Sequence, residues 1–254
     1  MKKLAFAAFL GALVCAGTAR AERGYPDEYA LRPLQLPSEM VQLKVPLIIN
    51  LSKDNVGNPI AIPFDIRFGL TDDLELDLFH QYPYGGLCIS GQSKGCGHVY
   101  NDIAVGLLYS LMRERDVDLS FFGAFEVAQF SSPSLLRLDA GVAFKFVQPQ
   151  WSIFAKPYIG IGMNHRDENG DRFYLPIEFA FQLSRPTALF IETGFYGDDL
   201  HNLGDTWSSP VGVGINFLLQ HGIDMGAEFK LDRLIGNGSS TDYRSFIFYF
   251  ALRN

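Results

Sequence analysis

Beyond its first two dozen residues the chain lacks any apolar run near the roughly 18 residues that a membrane-spanning helix needs, although 48% of it is hydrophobic. A helical membrane protein is thereby excluded, and the apolar residues must follow another period. Cysteine is scarce, at three residues, which rules out a disulfide-dense scaffold. Positive charge is in deficit: 21 Lys and Arg against 28 Asp and Glu give a net charge of −7. An acidic chain argues against nucleic acid as a partner. No low-complexity linker divides the sequence, so one domain is expected.

The N-terminus reads as an export signal. Met1-Lys2-Lys3 supplies a positive start, residues 4–16 an apolar stretch too short to cross a bilayer, and Ala19-Arg20-Ala21 a small-x-small cleavage site. Residues 1–21 are therefore expected to be a cleaved signal peptide. Losing Lys2, Lys3 and Arg20 takes three positive charges from −7 and leaves −10. Cys15 leaves with the signal; Val14 before it is larger than a lipidated cysteine tolerates. Cys88 and Cys96 remain in a Gly-rich segment, where an oxidising compartment favours a loop disulfide. A metal site completed by His98 is the lesser alternative, and no metal or cofactor is expected.

From residue 41 onward, apolar and mixed positions alternate with the period of a β-strand. Val41, Leu43, Val45, Leu47 and Ile49 share one face; Leu138, Ala140, Val142, Phe144 and Phe146 share another, opposite Arg137, Asp139, Gly141 and Lys145. Twelve such segments are legible, at 41–51, 60–70, 74–80, 103–111, 117–127, 136–146, 153–163, 173–183, 188–195, 211–219, 223–231 and 243–252. No helix is indicated after the signal.

Soluble antiparallel sheets alternate too. Three features favour a membrane barrel. The segments mostly run nine to eleven residues, enough to cross hydrocarbon at a tilt. Their apolar face carries no Lys, Arg, Asp or Glu except at strand ends such as Arg244. Connections alternate in length, short at Thr71-Asp72-Asp73 or Gln220-His221-Gly222 and long at 82–100 or 197–208. The expected fold is thus all-β: a transmembrane antiparallel up-and-down β-barrel of about twelve strands spanning 39–254, with 22–38 as a periplasmic lead-in. It would lie in the bacterial outer membrane with its short turns in the periplasm. The partners expected are outer-membrane lipid and lipopolysaccharide, the barrel-assembly machinery and small solutes.

On the mixed face stand twelve acids and six bases. The residues singled out as lumen-lining are Asp65, Arg67, Glu126, Arg137, Asp139, Lys145, Glu178, Glu192, Glu228 and Lys230. Such a lining suits a passive, cation-preferring channel for small solutes, and equally a network that closes a narrow barrel. Glycines on this face either leave open space or admit close packing of aromatics. By the same alternation Val142→Arg should be disruptive and Gly141→Ala mild.

Catalytic constellations are not compelling, and no enzyme is expected. A rim hydrolase needs a His–Ser couple; His80, read as the end of an outward face, has no serine partner in sequence. Asp198-Asp199-Leu200-His201 has the residue types of an aspartate–histidine protease, but its aspartates are adjacent rather than set across a cleft. Asp167-Glu168-Asn169-Gly170-Asp171 lacks the spaced ligands of a calcium loop. Gly160-Ile161-Gly162 and Gly212-Val213-Gly214 sit in strands with no following helix, so nucleotide binding is unsupported.

Pro33-Leu34-Gln35-Leu36-Pro37, residues 68–76 (Phe-Gly-Leu-Thr-Asp-Asp-Leu-Glu-Leu) and 101–109 (Asn-Asp-Ile-Ala-Val-Gly-Leu-Leu-Tyr) together resemble the transporter-like outer-membrane family named for the meta-pathway of phenol degradation. The resemblance covers roughly the first third of the mature chain. It implies passage of hydrophobic or aromatic small molecules.

Overall fold

One antiparallel sheet closes on itself, because β1 (Val41–Asn50) pairs with β15 (Arg244–Arg253) through nine residue pairs from Gln42↔Arg253 to Asn50↔Ser245. The structure, a computed structural model, describes residues 25–80, 85–91, 99–130, 134–237 and 240–254. The expected signal peptide lies outside them.

Between these two strands come β2 (Ile60–Ile62), β3 (Asp65–Thr71), β4 (Leu74–Phe79), β5 (Leu87–Ser90), β6 (Ile103–Arg113), β7 (Val117–Gln129) and β8 (Leu135–Gln148). There follow β9 (Trp151–Ala155), β10 (Tyr158–Gly162), β11 (Arg172–Ser184), β12 (Thr187–Gly197), β13 (Trp207–Gln220) and β14 (Ile223–Gly236). Two wall strands are interrupted without losing register. β2 and β3 continue each other along β1, and β9 and β10 both lie between β8 and β11. A proline stands in each gap, Pro63 and Pro157, and supplies no N–H to the ladder. With each pair counted once and β5 set aside as an extension beside β2, the wall has the twelve strands that the alternation predicts.

The outside of the wall is apolar. Val105, Leu107, Phe121, Phe125, Leu138, Val142, Ile159, Ile161, Leu189, Ile191, Val213 and Phe229 are all solvent-exposed. A band this continuous far exceeds the few hundred Å² that soluble proteins leave bare. The inside is where the charge went: Glu75, Asp102, Glu126, Arg137, Asp139 and Asp224 are each at most 1% exposed. This inversion of oil and charge is what places a lumen at the centre.

Short turns gather at one end of the barrel and long connections at the other. Helix is not wholly absent. A 3₁₀ turn spans Tyr29–Leu31, another Leu200–Asn202, and one α-helical turn Leu203–Thr206. The pair at the loop end is nucleated by Asp199, whose side chain accepts from the His201 amide at 2.9 Å, a local cap invisible to periodicity.

Candidate functional site

Every second side chain of a barrel strand points inward; of the ten residues singled out from sequence, Asp65, Arg67, Lys145 and Glu178 line a cavity at the turn end and Arg137 and Lys230 one at the loop end, while Glu126, Asp139 and Glu228 are buried. Arg67 grips Glu75 with two bonds, Nε to Oε1 at 2.8 Å and Nη2 to Oε2 at 2.9 Å. Arg137 reaches Glu126 at 3.1 Å with both side chains buried, and Asp139 is buried near them. Lys230 meets Glu192 at 3.0 Å. Glu228 and Glu192 both pack on the bare backbone of Gly212. Asp65 lines the turn half of the lumen together with Asp77 and Lys156. Lys156 lies 4.4 Å over the Phe122 ring, a cation held by an aromatic face.

The remaining two, Lys145 and Glu178, bind something the alternation did not foresee. Residues 25–38, expected to be a lead-in outside the barrel, fold into its turn end. Tyr29 donates its hydroxyl to Glu178 at 2.9 Å, and Lys145 donates to the Arg32 carbonyl at 2.7 Å. Arg32 is itself paired with Asp224 at 2.8 Å. Gln35 donates to Ser120 and accepts from Arg113. Ala30 and Leu36 are fully buried. At the rim Asp27 accepts from His221 at 2.7 Å and Arg185 at 2.9 Å. Partial burial pushes the Asp27 carboxyl up, but those hydrogen bonds and charges outweigh it and hold it below its ordinary value.

Cavities remain at both ends among the described residues. The turn-end cavity, about 290 Å³, lies against Tyr29, Arg32 and Leu34 of that segment. The loop-end cavity, about 530 Å³, is lined by Arg137, Arg172, Lys230 and Arg233 with Asp198 and Asp232. One of its walls is aromatic, Tyr158 stacking on Tyr174 at 5.1 Å and Tyr174 leaning on Tyr196 at 5.5 Å. Asn169 dips into this end, completely buried, accepting from Arg137 at 2.9 Å. The calcium-like segment is accordingly spent on structure, with Asp171 paired to Arg166 at 2.7 Å.

The lumen glycines do not leave open space. A methyl at Gly69 would overlap the Pro37 carbonyl, one at Gly226 the Tyr249 ring, and one at Gly141 the Pro157 carbonyl. Of the two readings of these glycines, close packing holds at these positions.

His80 does not end an outward face. Its strand stops at Phe79, and the imidazole turns inward to Asp102 at 3.3 Å, edge-on to Phe64 and Tyr100. Cys88 is disulfide-bonded; Cys96 lies outside the described residues. Arg32, Arg172 and Arg253 are interior cations that sequence reasoning missed, and Arg113, exposed at the rim, reaches in to Gln35. Arg32 precedes the barrel and the other three stand at strand ends, where alternation gives no direction.

No protein-family model matches the chain, and no curated protein matches it. Among solved structures it is similar to the NanC porin, at 9% identity and a TM-score of 0.62, covering 83% of this chain and 98% of that one. It is also similar to the KdgM porin, at 7% identity and a TM-score of 0.59 over the same shares. A second KdgM structure, described as in complex with disordered oligogalacturonate, gives a TM-score of 0.57. The fold is therefore that of a twelve-stranded outer-membrane porin.

Proposed function

We propose that the chain is an outer-membrane conduit of the porin kind, passing small solutes through its lumen. One observation carries this: inside an apolar jacket the barrel holds charge-lined cavities in place of a packed apolar core. In this setting the apolar band meets lipid and lipopolysaccharide, the short turns face the periplasm, and Cys88 pairs with Cys96 to staple an external loop. Membrane insertion would fall to the barrel-assembly machinery after a signal peptide is removed.

The solute class is narrowed from two sides. The oligogalacturonate in one structural neighbour puts small sugar acids among the candidates, and the tyrosine wall beside arginines has the stacking faces and donors for them. The resemblance in the first third of the chain adds aromatic small molecules. Cation preference, the expectation from twelve acids against six bases, becomes weak once Arg32, Arg172 and Arg253 join the interior.

Purified protein inserted in a planar bilayer should conduct, with a reversal potential near zero or slightly cation-selective in a salt gradient. Folded, inserted protein passing neither ions nor solutes would remove the conduit reading. It would leave a closed barrel, the second reading, which the filled turn end favours.

A further inference from the structure

We infer that residues 25–38 form a removable plug: the lumen contains a binding site for an extended, proline-spaced peptide, and the chain's own N-terminal segment occupies it. The effect on flow rests on the conduit reading; the occupancy does not.

A segment lying across a barrel cannot join the wall's ladder, so its backbone groups need other partners. The wall provides them from side chains. The amides of Ala30, Leu34 and Leu36 donate to Gln182 at 3.0 Å, Asp118 at 3.2 Å and Glu75 at 2.7 Å. The carbonyls of Arg32 and Leu34 accept from Lys145 and Arg67. Pro33 falls between the donating positions, and Pro37 lies between Leu36 and Ser38, whose amide donates to Asp72 at 3.0 Å; neither proline has an N–H to leave unmet. These partners come from β3, β4, β7, β8 and β11, so they surround the segment. Gly69 is bare where the Pro37 carbonyl passes, and any side chain there would collide with it. The fit is that of a built receptor, and it uses the charges that alternation offers to a permeating solute.

Three features make the occupant removable. Beside the apolar packing of Tyr29 and Ala30 on Ala180, Phe190 and Tyr249, it is held by a set of polar contacts, and polar partners freed in a wet lumen are rehydrated, which an apolar core cannot match. It is joined to the wall at one end, where the backbone bends sharply at Glu39, φ 66°, before entering β1. Its other end is held at the rim by Asp27 against His221 and Arg185, whose side chains are 53% and 73% exposed.

The test uses the full mature chain carrying Ala30→Cys, a position of the plug fully buried against the lumen wall, with Gly204→Cys in the open loop end as the exposed control. Folded protein in lipid vesicles is treated with a water-soluble maleimide. The Ala30→Cys thiol should react at least tenfold more slowly than the control. Adding Arg32→Gln and Asp27→Asn should raise its rate at least tenfold and increase single-channel conductance several-fold, while Arg32→Lys should keep most of the protection. If Arg32→Gln does not fold, Asp27→Asn with Arg185→Gln loosens the rim alone and should still raise the rate. Reaction at the control rate in the unloosened protein would overturn the occupancy. Protection that survives every loosening variant would make the segment a fixed part of the wall. Exposure without conductance in any variant would sink the conduit reading and leave the plug standing; equal conductance with and without loosening would do the reverse.

Discussion

Arg32 and Asp224, 192 residues apart, face each other in a two-pronged ion pair, Nη1 to Oδ2 at 3.0 Å and Nη2 to Oδ1 at 2.8 Å. Arg253 donates to the same carboxylate. Removing one member of a buried pair costs about 3–5 kcal/mol because the other charge is stranded. Asp224→Ala strands two guanidinium groups and should destabilise the barrel by about that amount. The measurement is the shift of the urea midpoint for refolding into lipid vesicles; a loss below about 1 kcal/mol would mean that water already satisfies both arginines.

The lipid-facing register is tested at Val142, exposed on β8. Val142→Arg should cost about 2–4 kcal/mol near the bilayer midplane, against little for Val142→Leu. Unchanged stability in vesicles would place this face elsewhere. Gly141→Ala, mild by alternation alone, should also be damaging, since its methyl would overlap Pro157 and Tyr158.

Acid should loosen the rim. A carboxyl held below its unfolded value adds stability above that value and loses it as pH falls through the folded one. The Asp27 contribution is thus present at neutral pH and is lost below about pH 4. The protection factor of the Ala30 amide, its exchange rate relative to the intrinsic rate at the same pH, should fall as pH drops through that range, and Asp27→Asn should show low protection at neutral pH as well as in acid. A flat profile in the unaltered protein would remove Asp27 from the latch.

Topology follows from the two ends of the barrel. A peptide tag inserted at Gly204, in the loop end, should be labelled on intact cells, whereas one beside Arg115, 96% exposed in a short turn, should need lysis. Labelling at Arg115 alone would invert the orientation.

Much of this molecule was legible because a barrel in lipid imposes a strict two-residue period. Strand count, inward charges and the apolar band all follow from it, down to Lys145 and Glu228 on the lumen side. The period is silent wherever the chain leaves the ladder. Arg32 is followed by Pro33 in a segment with no strand pattern, so nothing local revealed that its partner is Asp224. His80 was misdirected because its strand ends one residue early. Gly141 and Gly69 were ambiguous because an absent side chain does not say what fills its place. The disulfide of Cys88 is loop chemistry, read from composition rather than period, and the cap at Asp199 was not read at all.

The seam between β1 and β15 joins opposite ends of the described chain. Until β15 is laid down, β14 keeps an open hydrogen-bonding edge, as does β1, and such edges recruit wrong partners. The Arg32 pocket is also incomplete at that stage, for Arg253, which shares Asp224 with it, belongs to the closing strand. Seam and pocket are therefore finished by the same event, and both demand contacts of the largest sequence separation, the slowest kind to form. Arrival of the final strand is thus a checkpoint in biogenesis: a chain cut short before β15 would bear two sticky edges and an N-terminal arm whose Arg32 pocket lacks Arg253.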